Sequence, residues 1–212
     1  EQTQYITSVD YDLSTTNGEW KAGFADYPVG GEDMWELFSE ENSQFSLSSG
    51  DLKTGYLLHS VNRSDDTQMY VTKQISGLKP NQHYQVAFDV ELATNVNDQC
   101  VGIGGAPHAV TVKASLSRNE PIAVVDDLDH YRLTIDTGSQ TQGGLDAQAL
   151  GDIGLSELPD CDPAGALYGL KNYQNDEHLF EVTADDHGAL WVTLLTDSGF
   201  EGLTSIYFTH AS

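Results

Sequence analysis

The chain has 212 residues, and its 33 acidic residues against 9 Lys and Arg give a formal net charge of −24 at pH 7. So few cations argue against nucleic acid as a partner, because a protein that binds nucleic acid neutralises phosphates with a basic surface. Hydrophobic residues make up 39% of the chain, which is enough for the core of one large all-β domain. No apolar run approaches the roughly 20 residues that a membrane-spanning helix needs.

Short β-like runs separated by turn residues follow one another along the chain, without a segment of helical periodicity. Strands are predicted near residues 4–13, 20–24, 34–38, 44–48, 55–61, 68–76, 83–93, 109–117, 121–125, 130–136, 178–183, 189–196 and 203–209. Such a series without crossover helices predicts an all-β fold, a two-sheet antiparallel β-sandwich of jelly-roll type over residues 1–212 as a single domain. The polar, Gly- and Asp-rich segment 137–175 is predicted to be a long loop inserted in that domain.

The stretch GLKPNQHYQVAFDVELA, residues 77–93, is the most regular strand signal. Its apolar residues are spaced by two, so they leave one face of an extended chain while the polar residues between them face solvent. The predicted core face consists of Tyr84, Val86, Phe88, Val90 and Leu92. The preceding Gly, Pro and Asn predict a turn, and we expect a backbone group to bind the hydroxyl of Tyr84 there.

Two cysteines, Cys100 in VNDQCVGIGG and Cys161 in LPDCDPAG, lie in polar, loop-like contexts. This context favours a disulfide in an exported protein, with two unpaired thiols as the alternative. The chain begins EQTQ without Met, which is typical of a processed form. We therefore expect a secreted, periplasmic or cell-surface protein, and a lipid anchor upstream of this chain stays open.

The motifs GLKPNQHYQVAFDVELA and WVTLLTDSGFEGLTSIYF, in this order, resemble the strand scheme of galactose-binding-like jelly rolls, the fold of many carbohydrate-binding modules. Through GFADYP, GGAP, GLKPN, IDTGSQTQGG and TDSGFEG the chain is also similar to uncharacterised secreted or lipoprotein-type proteins of marine bacteria. The resemblance spans nearly the whole chain. It implies the fold and the compartment rather than an activity.

The same resemblance implies a structural calcium ion bound by acids near the first strand, a role that Asp10 and Asp12 can fill. The last strand ends in IYFTHAS and lacks the acid that such modules place there, so calcium is an open expectation. Asp65 and Asp66 in NRSDD form a second oxygen-rich segment of the type that calcium accepts. Neither segment matches the EF-hand pattern, and no Cys or His spacing predicts zinc.

Large aromatic residues are the clearest indication of a ligand, because sugar rings stack on exposed aromatic faces. Most must still pack in the core, and we expect this of Trp191 in the alternating ALWVTLL. The ring predicted first to contact a ligand is Tyr27, in the loop-like GFADYPVGGED. The predicted polar companions are Asp26, Asn62, Arg63, Asp65, Arg132 and Gln140.

These patterns favour a secreted, non-catalytic protein that binds a glycan or another small polar ligand, most simply neutral carbohydrate. The first alternative is a carbohydrate-active hydrolase or lyase, for which a cleft would hold two carboxylates with raised or split pKa values. The second is a calcium-binding surface or adhesive protein. No catalytic residue is predicted, because with 33 acids in the chain the proximity of any two in sequence carries almost no information.

Overall fold

The computed structural model describes residues 8–63, 66–102, 104–159, 161, 167–175 and 177–212. These ranges contain β-strands joined by turns and loops, and no helix. The strands are β1 (Tyr11–Asp12), β2 (Lys21–Ala25), β3 (Tyr27–Pro28), β4 (Phe38–Leu47), β5 (Leu52–Val61), β6 (Gln68–Ile75), β7 (His83–Val86), β8 (Asp89–Thr94), β9 (Val110–Ser117), β10 (Ala123–Val125), β11 (His130–Leu133), β12 (Ala147–Asp152), β13 (Leu167–Gln174), β14 (Phe180–Thr183), β15 (Leu190–Ser198) and β16 (Leu203–Ala211).

Two main sheets form a sandwich, which confirms the predicted all-β, jelly-roll-type fold. The five-stranded sheet has the order β12-β9-β15-β6-β2, and all of its strand pairs are antiparallel. The six-stranded sheet has the order β1-β16-β5-β4-β13-β8, and an additional pairing of β16 with β8 closes it on itself. Its one parallel pair joins β13 to β4 over Leu167 and Tyr168. Two smaller sheets, β10-β11-β3 and β14-β7, lie beside these.

The main core lies between the two sheets because alternate residues of each strand point inward. Leu190, Val192 and Leu194 of β15 belong to the same buried cluster as Ile206 and Phe208 of β16. A second, smaller cluster consists of Phe45, Leu57, Ala93, Tyr168 and Tyr207 and lies within the six-stranded sheet. The apolar residues therefore fill two cores of unequal size.

The predicted alternation in residues 83–93 is confirmed, although the strand is divided. Phe88, Val90 and Leu92 are buried in the main core, and Tyr84 and Val86 pack against it. β7 pairs with β14, whereas β8 joins the six-stranded sheet, so the chain passes from one sheet to another between them. The backbone N–H of Lys79 donates to the Tyr84 hydroxyl at 3.0 Å, as the turn prediction required.

Three predictions about these elements are wrong. The strand predicted near residues 34–38 is mostly a turn, and β4 begins only at Phe38. Trp191 does not lie in the core, because its neighbours Leu190 and Val192 take the inward positions and alternation turns Trp191 to the opposite side. Segment 137–175 is not one long loop, because it contains both β12 and β13. Polar residues are compatible with strands there, since β12 is an edge strand and half of the residues in β13 point away from the core.

The expected disulfide is present. Cys100 and Cys161 are bonded, and their Cα atoms are 5.3 Å apart. The bond ties the segment before β9 to the segment before β13. No helix within the described ranges is long and apolar enough to span a membrane.

Candidate functional site

The five-stranded sheet has one side that faces away from the main core, and we call it the outer face. It carries the charged, polar and aromatic side chains that form the candidate site. Cross-strand partners share a face, so the register defines its members. Along β15 they are Trp191, Thr193, Leu195 and Asp197. The other members are Lys21, Gly23 and Ala25 of β2, Gln68, Tyr70, Thr72 and Gln74 of β6, and Thr111, Lys113, Ser115 and Ser117 of β9.

One end of the outer face is open to solvent at Trp191. This side chain is half-buried, and its direct cross-strand neighbours are Gln74 and Ser117. The Lys21 ammonium lies 5.4 Å from the centre of the Trp191 ring. Lys21 also pairs with Glu120 at 2.9 Å, and 66% of its side chain is exposed, so the lysine can leave the ring without unburying a core group.

A groove of about 280 Å³, lined by both polar and apolar residues, borders Ser117, beside the strand that carries Trp191. Arg118 is half-exposed and has Asp186 as an ion-pair partner at 3.7 Å. Glu181 accepts a hydrogen bond from the Gln85 amide at 3.2 Å. The wall combines apolar residues with hydroxyl, amide, guanidinium and carboxylate groups from Leu116, Ser117, Arg118, Asn119, Thr134, Ile135, Leu145, Asp146, Glu181, Val182 and Thr183.

The other end of the outer face is covered and holds an ion pair, Lys113 with Asp197. Nζ of Lys113 lies 2.7 Å from Oδ2 of Asp197, and the two side chains are 0% and 1% exposed. Lys113 also donates to the backbone oxygen of Thr137 at 2.9 Å. Gln68 donates to Asp197 Oδ2 at 3.3 Å and to the Thr137 hydroxyl at 3.0 Å.

Two buried acceptors of this cluster, Oε1 of Gln68 and Oδ1 of Asp197, have no hydrogen-bond partner among the described residues. Burial raises the pKa of Asp197, and the charge of nearby Asp66 raises it further. The Lys113 ammonium acts in the opposite direction on the same pKa. The covered end is therefore a desolvated polar cluster that the protein satisfies only in part.

Several residues predicted from sequence meet beside this covered end. Arg132 donates to Asp26 through Nη1 and to Asp126 through Nε, the latter at 3.1 Å. The Gln140 amide donates to Asp66 at 2.7 Å. Burial raises the pKa of Asp26, and the charges of Asp197 and Asp66 add to the increase, whereas Arg132 opposes it. Asp26 has a left-handed backbone with φ of 58°, an uncommon conformation for a residue other than glycine.

Tyr27 is not an exposed platform, contrary to the expectation for the GFADYP segment. It is 7% exposed because it belongs to β3 and stacks on Tyr131 with ring centres 4.8 Å apart. Burial raises the pKa of its hydroxyl to about 12. Arg63 forms an ion pair with Glu36 at 3.3 Å and donates to the Met34 carbonyl at 3.1 Å. Tyr27 and Arg63, both predicted to bind ligand, thus contact other residues of the protein itself.

Asn62, also predicted to bind ligand, is buried and joins three segments of the protein. Its amide donates to the Phe200 carbonyl at 2.9 Å and to the Ser198 carbonyl at 3.3 Å. Its oxygen accepts from the Thr67 hydroxyl at 3.1 Å, and Thr67 in turn accepts from the Trp35 indole at 3.0 Å. These contacts hold the turn between β15 and β16 against the residues before β6.

Replacing Asn62 by alanine is expected to lower the free energy of unfolding by about 2 kcal/mol, because buried carbonyls would lose their donor. Urea denaturation monitored by tryptophan fluorescence measures the change. Asn172, which is exposed on β13, is the matched control, and its alanine variant should differ from the parent by less than about 0.5 kcal/mol. Equal stabilities of the two variants would contradict the structural role.

Of the acids predicted to bind calcium, those that the structure describes do not all lie in one place. Asp10 accepts from His210 at 2.5 Å beside the six-stranded sheet. Asp12 accepts from the backbone N–H of Ser14 at 2.8 Å, and its hydrogen bonds with Ser14 lower its pKa. Asp66 lies instead with Gln140, and Asp65 is outside the described residues. No group of three or more Asp, Glu, His or Cys side chains within the described ranges is arranged to hold a metal ion.

Sequence reasoning missed Lys113, Gln68 and Asp197, as well as the groove around Arg118. In AVTVKASLS the apolar residues alternate with Lys113, a pattern that predicts a solvated lysine. The covering segment that removes this lysine from water is remote in sequence, as the bond from Lys113 to Thr137 illustrates. A weak signal was present, since the chain has only 9 Lys and Arg residues.

No protein-family model matches this sequence, and no curated protein matches it, so the similarity to marine bacterial proteins has no support here. Solved structures that are similar at low identity include the following three. A carbohydrate-binding module described with mannan recognition, TmCBM27, is 10% identical, with 99% of each chain covered and a TM-score of 0.36. TmCBM61 in complex with β-1,4-galactotriose is 8% identical over 92% of this chain and 86% of its own, with a TM-score of 0.35. The enzymatically active domain of bacteriophage CBA120 tailspike protein 4 is 10% identical over 91% of this chain, which spans only 19% of that protein, with a TM-score of 0.35.

Proposed function

We propose that this chain is a non-catalytic, extracytoplasmic module that binds neutral carbohydrate at the open end of the outer face. The observation that carries this proposal is the position of Trp191, a half-buried ring beside a groove lined by polar side chains. Of the three tryptophans, Trp20 and Trp35 are buried in the protein, whereas Trp191 presents part of its ring to solvent.

The chemistry of this site suits a sugar. The C–H face of a sugar ring can stack on Trp191, and its hydroxyls can bind Arg118, Asn119 and Glu181 in the adjoining groove. A volume of about 280 Å³ is at the lower end of ligand pockets, which fits one unit of a longer glycan better than a large compact ligand. An open groove also lets a polymer continue beyond the site.

Charge favours a neutral glycan over an acidic one. The protein carries a formal net charge of −24, and Glu120, Asp146 and Glu181 lie at or beside the groove. An anionic polysaccharide would be repelled at low ionic strength, because unscreened like charges raise the free energy of approach. Neutral sugars avoid this cost while still using the carboxylates as hydrogen-bond acceptors.

The disulfide supports a location outside the cytoplasm, because structural disulfides persist in oxidising compartments. The acidic surface agrees with a protein that stays dispersed in a salty medium. Calcium is not part of the proposed site, since no three acidic or His side chains among the described residues of the groove are arranged to hold a metal ion.

A hydrolase is the weaker candidate. Asp26 and Asp197 have pKa values raised by burial, as a pair of catalytic carboxylates would. Each of them is bound by a cation, Arg132 or Lys113, and neither lines the groove. The two carboxylates thus have partners inside the protein rather than a substrate to act on.

Replacing Trp191 by alanine is expected to weaken glycan binding at least about tenfold, a loss of roughly 1.4 kcal/mol, because the stacking surface is removed. A glycan array on the purified wild-type protein identifies the ligand, and isothermal titration calorimetry then compares the two proteins. Arg118→Ala is expected to weaken the same binding through lost hydroxyl contacts.

The matched control is Phe38→Ala, which removes a 49% exposed ring from the six-stranded sheet and should leave the affinity unchanged. Titrations in calcium and in chelator should agree. If no glycan on the array binds, or if W191A and F38A bind equally well, the proposal is wrong.

A further inference from the structure

We propose that Lys113 and Asp197 condense into an intramolecular isopeptide bond, a covalent link between β9 and β15 of the five-stranded sheet. These two strands are neighbours. Lys113 lies directly opposite Leu195 and therefore diagonally across from Asp197 on the outer face. Nζ and Oδ2 are 2.7 Å apart, in contact and with no atom between them. The short aspartate and the long lysine therefore already meet in a geometry from which Nζ can reach Cγ.

Burial separates this pair from the other ion pairs of the described chain. Lys113 and Asp197 are 0% and 1% exposed, whereas Lys171 and Asp152, at 3.1 Å, are 26% and 51% exposed. An exposed ammonium stays protonated and hydrated, so it cannot attack a carboxyl group. Because burial disfavours both charges of the pair, transfer of one proton from Lys113 to Asp197 gives the neutral amine and the neutral acid that condensation requires.

The ionic pair is also incompletely satisfied. The ammonium has three N–H donors but two acceptors in contact, Asp197 Oδ2 and the Thr137 carbonyl. Oδ1 of Asp197 lacks a partner among the described residues. An amide would remove both charges and one of the two carboxyl oxygens, so the groups that are hardest to desolvate would disappear from the interior.

The neighbouring groups match each stage of the reaction. The nitrogen lone pair of Lys113 forms a bond to Cγ of Asp197, and the resulting oxyanion accepts from the Gln68 amide, which lies 3.3 Å from Oδ2. One carboxyl oxygen then leaves as water, with the carboxyl proton and one proton from nitrogen. The product keeps one N–H, which can still donate to Thr137, and no oxidant or reductant is consumed.

The negative charge of Asp66 promotes the same step. This charge and burial both raise the pKa of Asp197, which favours the protonated carboxyl group over the carboxylate. Gln140 holds Asp66 in place through its 2.7 Å hydrogen bond. Asp66 is therefore a positioning residue for the reaction, acting through the charge state of Asp197.

Mass spectrometry of the intact, purified protein after reduction of the disulfide tests the proposal. The wild type is expected to be lighter than its sequence mass by one water, about 18 Da, in most molecules. Proteolysis should then yield one joined species that contains both Lys113 and Asp197. Lys113→Met should have its full sequence mass, whereas Lys171→Met, from the exposed pair, should still lack one water.

A wild-type protein that keeps its full sequence mass after prolonged incubation in the folded state would overturn the proposal. So would a loss of water that persists in K113M, because the water would then come from another site. The mass of the wild-type protein can be measured even if a variant does not fold. The joined peptide locates the bond whether or not the variants are stable. The proposal stands or falls separately from carbohydrate binding, which uses the opposite end of the outer face.

Discussion

Replacing Phe208 by alanine is expected to lower the free energy of unfolding by about 4 kcal/mol, because it empties a space at the centre of the main core. Phe208 is 0% exposed and belongs to the cluster that both sheets build. Its strand pairs with β5 on one side and with β8 on the other, so neighbouring backbones cannot move inward easily to fill the cavity. Chemical denaturation with a two-state fit measures the loss.

Phe38→Ala is the control, because it removes the same ring from a position that is 49% exposed at the start of β4. Its cost should stay within about 0.5 kcal/mol. Equal losses in the two variants would show that the ring at 208 does not fill a rigid core, contrary to the packing described above.

Removing the disulfide with Cys100→Ser and Cys161→Ser is expected to lower the free energy of unfolding by about 4 kcal/mol in the chain-entropy model. The two cysteines are 61 residues apart, and without the bond the unfolded chain gains the conformations that the loop closure excludes. The effect acts mainly on the unfolded state, so the folded state should keep its β-sheet circular dichroism.

The wild-type protein treated with a reductant is the matched comparison for that double variant, since it has the same sequence apart from the two serines. Reduced wild type and double variant should unfold at the same denaturant concentration, below that of the oxidised protein. A loss under about 1 kcal/mol in both would mean that the bond contributes little beyond local order.

The fold was predictable because its signal is local. Alternation along residues 83–93 and 203–209 places one side of each strand against the core whatever the rest of the chain does. In ALWVTLL the alternation was assigned to the wrong face. Trp191 was expected to lie in the core, whereas Leu190 and Val192 hold the inward positions. Strands β12 and β13 were missed because their polar, Gly-rich sequences have weak β-propensity and depend on pairing with β9 and β8.

The residues predicted to bind ligand, as far as the structure describes them, do not line the groove of the proposed site. Asp26, Arg132 and Gln140 were predicted as polar companions and do lie together, in a cluster with Asp66. Their partners are charges of the protein itself, which sequence could not show because Asp26 and Arg132 are 106 residues apart. Tyr27 was the ring expected to bind ligand, but it is buried, and the ring that we propose instead is Trp191.

By itself, the sequence determined the all-β class and the excess of acidic residues, and it favoured a disulfide between its two cysteines, because periodicity, charge and cysteine context are properties of the chain read residue by residue. Tertiary structure alone decided which polar residues lose contact with water. Lys113 and Asp197 look like surface residues until a segment from elsewhere in the chain covers the outer face, and burial then determines whether a charge is solvated, paired or reactive.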